Sequence, residues 1–353
     1  MAKSPTAPAA GKAAAAAVVL AGAAAAGGKL AHDRRTQAPA GEPDRAYRLH
    51  ADEYVPDGVR RVARGRLDDA RERLDGASGR DLGEAVHETR KDLKRLRACL
   101  RLSRDGLGEE TYERENTTYR MAGRRLSGAR DAQVLVETLD GLTERFAAEL
   151  PAAATEGLRA RLYDEHEAAL AAMRDDDGTI ALTVGELAEA RTRAASWTLA
   201  GDDFAAVKPG LRRIYRRGRK RIRAAAQDPT TESLHEARKR VKDLWHATQL
   251  LRPAAPKRMK KLSREAHHLA DLLGDDHDLA VLREYVERHP QCFADESSKR
   301  ALLTVLDRRR AALQRRALKL GRKLYAPSAK PFVAKVERGW RKRAATRPEP
   351  VAG

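Results

Sequence analysis

The chain has 353 residues, of which 70 are Lys or Arg and 51 are Asp or Glu, so its formal net charge is +19. This length can bury a real core in one large or two medium domains, and the positive charge predicts a polyanionic partner. Aromatic residues make up only 4% of the chain. This disfavours a reader of single-stranded nucleic acid, because such proteins stack bases on aromatic rings.

The two cysteines, Cys99 and Cys292, lie far apart and form no CxxC pair. The sequence therefore predicts neither a disulfide framework nor a zinc site, and it fits a reducing compartment.

Residues 1–43 are rich in Ala, Gly and Pro, with an apolar run over residues 13–28. This run is short for a membrane span, and it consists mostly of weakly hydrophobic Ala and Gly. We expect a disordered leader on a cytoplasmic protein that is not bound to a membrane. A signal peptide or anchor is the alternative, because Lys3 and Lys12 give the run a charged start.

From Pro56 onwards the sequence is typical of helices, since Ala, Leu, Arg and Glu dominate and clusters of Gly or Pro separate the segments. In the first half, helices are predicted at residues 56–75, 80–104, 109–127, 131–148, 152–175 and 183–198. In the second half, they are predicted at residues 203–226, 231–252, 255–273, 278–289 and 296–322. A basic tail over residues 331–353 has room for one more short helix.

An eight-residue pattern occurs twice in the chain. Residues 87–94 read HETRKDLK and residues 235–242 read HEARKRVK, so both follow H-E-x-R-K-x-φ-K, where φ is apolar. A repeat of this kind predicts two similar helical halves, here residues 44–198 and 203–325.

The repeat continues on both sides of this pattern. Residues 59–64 match residues 211–216, and residues 126–135 match residues 273–282. In both downstream segments a cluster of Gly or Asp is expected to interrupt a helix. Asp131 and Asp278 are then predicted to be the N-caps of the helices that follow, where they would accept hydrogen bonds from free backbone N–H groups.

Each copy of the pattern predicts an amphipathic helix whose polar face is cationic. The apolar face contains Val86, Leu93, Leu96 and Leu100 in the first copy and Leu234, Val241 and Leu244 in the second. The cationic face has few acidic residues at i+4 spacing to neutralise it. Because gathered cations repel one another, we expect a bound polyanion to offset the repulsion.

The candidate anion-binding residues come from the two repeated helices and from the helix before each of them. They are His87, Arg90, Lys91, Lys94, Arg97, Arg101, His235, Arg238, Lys239, Lys242, Arg60, Arg61, Arg64, Arg212, Arg213, Arg216 and Arg219. No metal site is predicted, because each motif has a single His without the three or four ligands that zinc needs. His87 and His235 are expected to donate hydrogen bonds to an oxyanion or to hold neighbouring helices together.

The doubled motif resembles the CHAD family, the conserved histidine α-helical domain. The residues that carry the resemblance are His87, Arg90, Lys91, Lys94 to Arg97, Arg130-Asp131 and Val134-Leu135, followed by Leu234-His235, Arg238, Lys239, Lys242, Leu273-Gly274, His277-Asp278 and Val281-Leu282. The second copy departs from the pattern at two positions, with Asp243 and Trp245 where the first copy has Arg95 and Arg97. The resemblance covers about residues 45–325.

This resemblance implies an all-α protein of two pseudo-symmetric helical bundles with a basic central groove or pore, here assigned to residues 44–330. It implies binding of inorganic polyphosphate, with members found at polyphosphate granules. Some members carry a triphosphate tunnel domain with an E-x-E-x-K motif, which is not found in this sequence. We therefore expect a non-catalytic binding protein without a cofactor.

Two other functions remain open at this stage. A nucleic-acid-binding helical protein would meet the same electrostatic demand, because the phosphate backbone attracts the same cations. A metal-dependent phosphohydrolase would need clustered His and Asp ligands, and only the run from Asp275 to Asp278 offers them. Oligomeric state is left undecided by the sequence.

Overall fold

A computed structural model of the chain describes residues 46–77, 81–175, 177–201 and 203–345. These residues form an all-helical bundle of eleven helices without a strand. The first six helices are α1 (Val55–Asp75), α2 (Leu82–Leu107), α3 (Glu109–Arg125), α4 (Gly128–Arg145), α5 (Glu156–Asp175) and α6 (Asp177–Ala195). The other five are α7 (Lys208–Gln227), α8 (Thr231–Leu250), α9 (Pro256–Arg288), α10 (Glu296–Leu324) and α11 (Ala329–Ala344).

The all-α class predicted from the sequence is confirmed. The leader over residues 1–43 and the end of the basic tail lie outside the described residues. The extra helix that the sequence allows near the tail is present as α11, and it buries Phe332, Val333, Val336 and Trp340.

One predicted helix break is wrong. Residues 255–273 and 278–289 belong to a single helix, α9, which runs through Gly274 without interruption. A Gly inside a helix costs only about 1 kcal/mol relative to Ala, and here it leaves room for a neighbour. A Cβ at residue 274 would lie 3.3 Å from Nη2 of Arg238.

The predicted N-cap roles of Asp131 and Asp278 are also wrong. Asp278 lies inside α9. Asp131 lies in the first turn of α4, whose N-cap residue is Ser127. Both carboxylates instead face arginines of the repeated motif, as described below.

The two motif helices, α2 and α8, lie inside the bundle. Helix α2 packs against α1 and α3, and α8 packs against α7 and α9. The apolar faces predicted from the sequence are buried, with Leu93 and Leu100 on α2 and Val241 and Leu244 on α8 each no more than 1% exposed. The cationic side of each helix is thereby turned away from the core.

Helix α7 lies directly against the C-terminal part of α2. A Cβ at Gly210 would lie 1.8 Å from the carbonyl oxygen of Leu102, so only a glycine allows the two backbones to come this close. Arg213 of α7 then donates to the Asp105 carboxylate at 2.6 Å and to the Arg101 carbonyl oxygen at 3.0 Å. These contacts place the charged side of α7 next to that of α2.

Asp203 connects the N-terminus of α1 with α11 through hydrogen bonds. Its carboxylate accepts hydrogen bonds from the Val55 backbone N–H at 3.2 Å and from the Trp340 indole N–H at 2.7 Å. None of the described helices is long and apolar enough to cross a membrane.

Candidate anion-binding site

Four cations from the two motif helices form what we call the central cluster: Arg90 and Lys94 of α2, and Arg238 and Lys242 of α8. Burial, followed by the positive charges of Lys242, Arg90 and Arg238, lowers the pKa of Lys94 to about 8. Charges act on one another in this way only at short range. Cations from both copies of the motif are therefore brought together.

Lys242 has the same character as Lys94. Burial, followed by the charge of Arg238, lowers its pKa to about 8, while the charges of Asp278 and Asp271 act in the opposite direction. Neither lysine forms an ion pair within the described part of the chain. Lys94 is exposed to water and Lys242 is half-buried.

The two arginines of the central cluster are held in matching ways. Arg90 donates to the Ser127 carbonyl oxygen at 3.0 Å and lies 3.4 Å from the Asp131 carboxylate. Arg238 packs against Gly274 and lies 4.0 Å from the Asp278 carboxylate. Each guanidinium thus has one acidic partner, which positions it without leaving the cluster neutral.

The motif histidines lie beside the cluster. His235 stacks on His277 of α9, with ring centroids 4.5 Å apart. Burial, followed by the charge of His277, lowers the pKa of His235. The contact of His235 with α9 fits the predicted role in holding helices together. His87 is half-buried on α2.

The remaining motif lysines, Lys91 and Lys239, differ from those of the cluster; we call them the outer lysines. Lys91 forms an ion pair with Glu88, and Lys239 forms one with Glu236. The glutamate that neutralises each outer lysine thus lies three residues before it, rather than at the i+4 spacing considered from the sequence. That the outer lysines bind the anion stays a prediction.

Arg97 and Arg101 continue the cationic face of α2 beyond Lys94. Burial, followed by the charge of Arg101, lowers the pKa of Arg97 to about 10, and its Nε donates to Asn116 at 3.0 Å. Arg101 forms an ion pair at 2.8 Å with Asp243 of α8, which also pairs with Arg240 at 2.8 Å. The departure from the family pattern at Asp243 therefore joins the two motif helices.

The predicted residues on α1 are split between anchored and exposed positions. Arg60 donates to the Trp197 carbonyl oxygen at 2.9 Å. Arg61 is held through two hydrogen bonds to the Glu53 carboxylate and one to the Arg48 carbonyl oxygen. Arg64 is exposed.

The residues on α7 divide in the same way. Arg213 is bound to Asp105, and Arg219 donates to the Tyr325 carbonyl oxygen at 3.0 Å. Arg212 and Arg216 are exposed and form no ion pair in the described part of the chain. The anchored arginines of both helices hold the bundle together.

The acidic run on α9 does not converge on one point. Asp276 is buried, accepting from Arg310 at 3.2 Å and from Gln314 at 2.9 Å, whereas Asp278 faces Arg238 and His277. Burial raises the pKa of Asp275 and of Asp276. Across the described ranges, no three His, Cys, Asp or Glu side chains are grouped so that they could hold a metal ion.

Comparison with known proteins identifies one family. Residues 61–287, which make up more than half of the chain, match the family model of the CHAD domain. No curated protein matches the sequence. The matched range includes both motif helices and all four residues of the central cluster.

Proposed function

The chain belongs to the CHAD domain family, and we propose that it binds inorganic polyphosphate, without catalysis, in a basic groove between two pseudo-symmetric helical halves. The central cluster carries this proposal. Four cations from both motif helices converge, and the acids beside them among the described residues, which include Asp131, Asp271, Asp275 and Asp278, form no ion pair with Lys94 or Lys242. A polyanion is the simplest partner that offsets their repulsion.

The surroundings of Lys94 support a groove. Its side chain is open to water, yet burial is the main cause of its lowered pKa. An ammonium combines these properties when protein surrounds it on several sides and solvent reaches it from one. The matched arginine contacts, Arg90 with Asp131 and Arg238 with Asp278, support the pseudo-symmetry.

Polyphosphate fits the chemistry of these side chains. Its phosphates are evenly charged and carry no base, so the ligand needs cations and no aromatic platform. The planar guanidiniums of Arg90 and Arg238 can contact two phosphate oxygens each, while Lys94 and Lys242 act as point charges. As part of this proposal, the protein works in the cytoplasm, at polyphosphate granules.

The experiment that tests this function is a calorimetric titration of the whole chain with polyphosphate. The double substitution Lys94→Gln and Lys242→Gln removes both central lysines. Hydrogen bonds to charged groups contribute about 1.5–3 kcal/mol each, so we expect the affinity to fall by about a hundredfold or more. The substitutions also relieve repulsion between cations, which favours a folded variant.

The outer lysines provide the matched control. Lys91→Gln with Lys239→Gln makes the same change in net charge on the same two helices. Since each outer lysine already has a glutamate partner, we expect only a small loss of affinity, less than about threefold. Equal losses in the two double variants would mean that net charge alone attracts polyphosphate and that the central cluster is not its site.

Competition between polyphosphate and duplex DNA at matched phosphate concentration distinguishes polyphosphate binding from nucleic-acid binding. A protein that recognises polyphosphate prefers it to DNA, whereas a nucleic-acid-binding protein prefers the duplex. Release of orthophosphate from polyphosphate in the presence of a divalent metal would instead indicate a phosphohydrolase.

A further inference from the structure

Helix α7 carries a second concentration of positive charge, outside the central cluster. Six of its cations are exposed, and we call them the α7 face: Arg212, Arg216, Arg217, Lys220, Arg221 and Arg223. None of the six forms an ion pair within the described ranges of the chain. Burial, followed by the charges of Arg240, Arg213 and Arg104, lowers the pKa of Arg217.

The α7 face is not explained by packing. The opposite side of the helix already supplies the core contacts, with Leu211, Ile214, Tyr215 and Ile222 all buried. The helix therefore has no apolar side left to insert into a lipid surface, as an interfacial helix requires. The exposed side of α7 therefore presents a row of cations to solvent.

A path of basic side chains on α2 leads from the central cluster towards the α7 face. Lys94 and Arg97 on this path have no ion-pair partner among the described residues, whereas Arg101 pairs with Asp243 and Arg104 pairs with Glu109. Lys94, Arg97, Arg101 and Arg104 follow one another on α2 at intervals of three and four residues, so they share one side of that helix. At 1.5 Å per residue, the ten steps along the helix from Lys94 to Arg104 span about 15 Å. The contacts of Arg213 with Arg101 and Asp105 place α7 beside the end of this path.

We propose that the α7 face is a second polyphosphate-binding surface, which holds the part of a long chain that extends beyond the central cluster. This inference rests on the function proposed above and adds a preference for long chains. Once one part of the chain is bound at the central cluster, the next part is present at high effective concentration beside α7. A chain of three phosphates is too short to contact both surfaces.

A flexible polyanion suits this arrangement better than a duplex. The cations lie on successive helices, α2 and α7, and a flexible chain can follow the change of direction between them. Duplex DNA has a persistence length of about 50 nm, so it contacts only cations that share one flat surface. Duplex binding to α7 is the competing outcome of the experiment below.

The test compares three probes, tripolyphosphate, a long-chain polyphosphate and duplex DNA, by calorimetry on the whole protein. The α7 variant combines Arg217→Gln, Lys220→Gln and Arg223→Gln. Its control combines Lys335→Gln, Arg338→Gln and Lys342→Gln on α11, where three exposed cations at similar spacing have no ion-pair partner among the described residues. Both variants lose three positive charges on the exposed side of an amphipathic helix.

We expect the α7 variant to bind tripolyphosphate as the wild type does and to lose about tenfold or more of its affinity for the long chain. Its salt dependence for the long chain should also become less steep, because fewer counterions are released. The α11 variant should keep both affinities. Full retention of long-chain affinity in the α7 variant would overturn the inference and leave the central site intact. Equal losses of long-chain affinity in the α7 and α11 variants would also overturn the inference, as would a loss of affinity in the α7 variant that is confined to duplex DNA.

The same titrations separate this inference from the proposed function. If Lys94→Gln with Lys242→Gln leaves tripolyphosphate and long-chain binding unchanged, the central site is wrong. A loss of long-chain binding in the α7 variant would then still identify α7 as a polyanion surface. If the wild type binds neither polyphosphate, both proposals fail.

Discussion

Two clusters of positive charge lie on opposite sides of helix α2, one formed with α1 and the other with α8, and they have opposite surroundings. On one side, Arg66, Arg73 and Arg95 surround the fully buried carboxylate of Asp92, with Arg95 at 2.8 Å and Arg66 at 3.1 Å. On the other side, only two residues further along, Lys94 lies among the cations of the central cluster and has no ion-pair partner in the described part of the chain.

The difference teaches that a high density of arginine and lysine does not by itself indicate a ligand site. Burial alone would raise the pKa of Asp92, but the guanidiniums of Arg66, Arg95 and Arg73 hold that pKa below its usual range. There the protein supplies its own anion, and the cluster stabilises the fold. In the central cluster Asp131 and Asp278 pair with the two arginines, but Lys94 and Lys242 have no ion-pair partner among the described residues, and an external anion is expected to complete the site.

The largest expected effect is on the Asp92 side. Asp92→Asn removes a fully buried carboxylate that three guanidiniums share, and it leaves Arg66 and Arg73 with the partly buried Asp69. Breaking a buried ion pair by removing one partner costs about 3–5 kcal/mol, and we expect a loss of this order in the free energy of unfolding. Denaturant unfolding followed by circular dichroism measures it.

An exposed ion pair serves as the control for this substitution. Glu149 pairs with Arg308 at 2.6 Å, and both side chains are about half exposed. Glu149→Gln should therefore cost less than about 1 kcal/mol. A similar loss in Asp92→Asn and Glu149→Gln would contradict the structural role of the Asp92 side.

A smaller effect is expected when the central lysines are removed from the empty protein. Their folded pKa of about 8 lies below the value of about 10.4 for an unfolded lysine. Between these two pH values the unfolded chain binds more protons than the folded protein, so stability rises with pH in this window. At pH 7 the lysines are charged and destabilise the fold.

We therefore expect Lys94→Gln with Lys242→Gln to be more stable than the wild type at pH 7, and this advantage to shrink towards pH 10. The difference between the two proteins is the quantity to follow, because burial also raises the pKa of Cys99 to about 12, which lowers the stability of both alike at high pH. If the wild type were more stable than Lys94→Gln with Lys242→Gln at pH 7, the central lysines would not destabilise the fold by repelling one another.

The smallest effect concerns the outer lysines. Glu88→Gln with Glu236→Gln removes their partners and adds two uncompensated cations beside the central cluster. Because pairs at this spacing contribute only about 0.2–0.5 kcal/mol each, we expect polyphosphate affinity to rise by about two- to fourfold. Unchanged affinity in a calorimetric titration would place the outer lysines outside the reach of the ligand.

The sequence predicts the helices well because the spacing of apolar residues reports burial directly. Leu93 and Val241 lie in the core for this reason. The sequence does not reveal that α9 is continuous, because Gly274 resembles a helix end, whereas in the structure Arg238 packs against it. A local pattern cannot show what packs against a residue from another helix.

The candidate site is predicted in part for the same reason. The repeated pattern identifies the cations, and their counter-charges come from elsewhere in the chain. Asp131 and Asp278 are about forty residues from the arginines that they contact, and Asp243 reaches Arg101 from the other motif helix. The alignment of the two repeats offers a signal for the first pair, because Asp131 and Asp278 occupy matching positions after Arg90 and Arg238.

The most direct test of the central claim is the pH dependence of polyphosphate affinity in the wild type and in Lys94→Arg with Lys242→Arg. The wild-type lysines lose their protons as the pH rises through about 8, whereas arginine stays charged. We predict that wild-type affinity falls steeply between pH 7 and about 9.5, while the arginine variant keeps most of its affinity over this range. Parallel profiles for the two proteins would contradict the assignment of Lys94 and Lys242 to the ligand site.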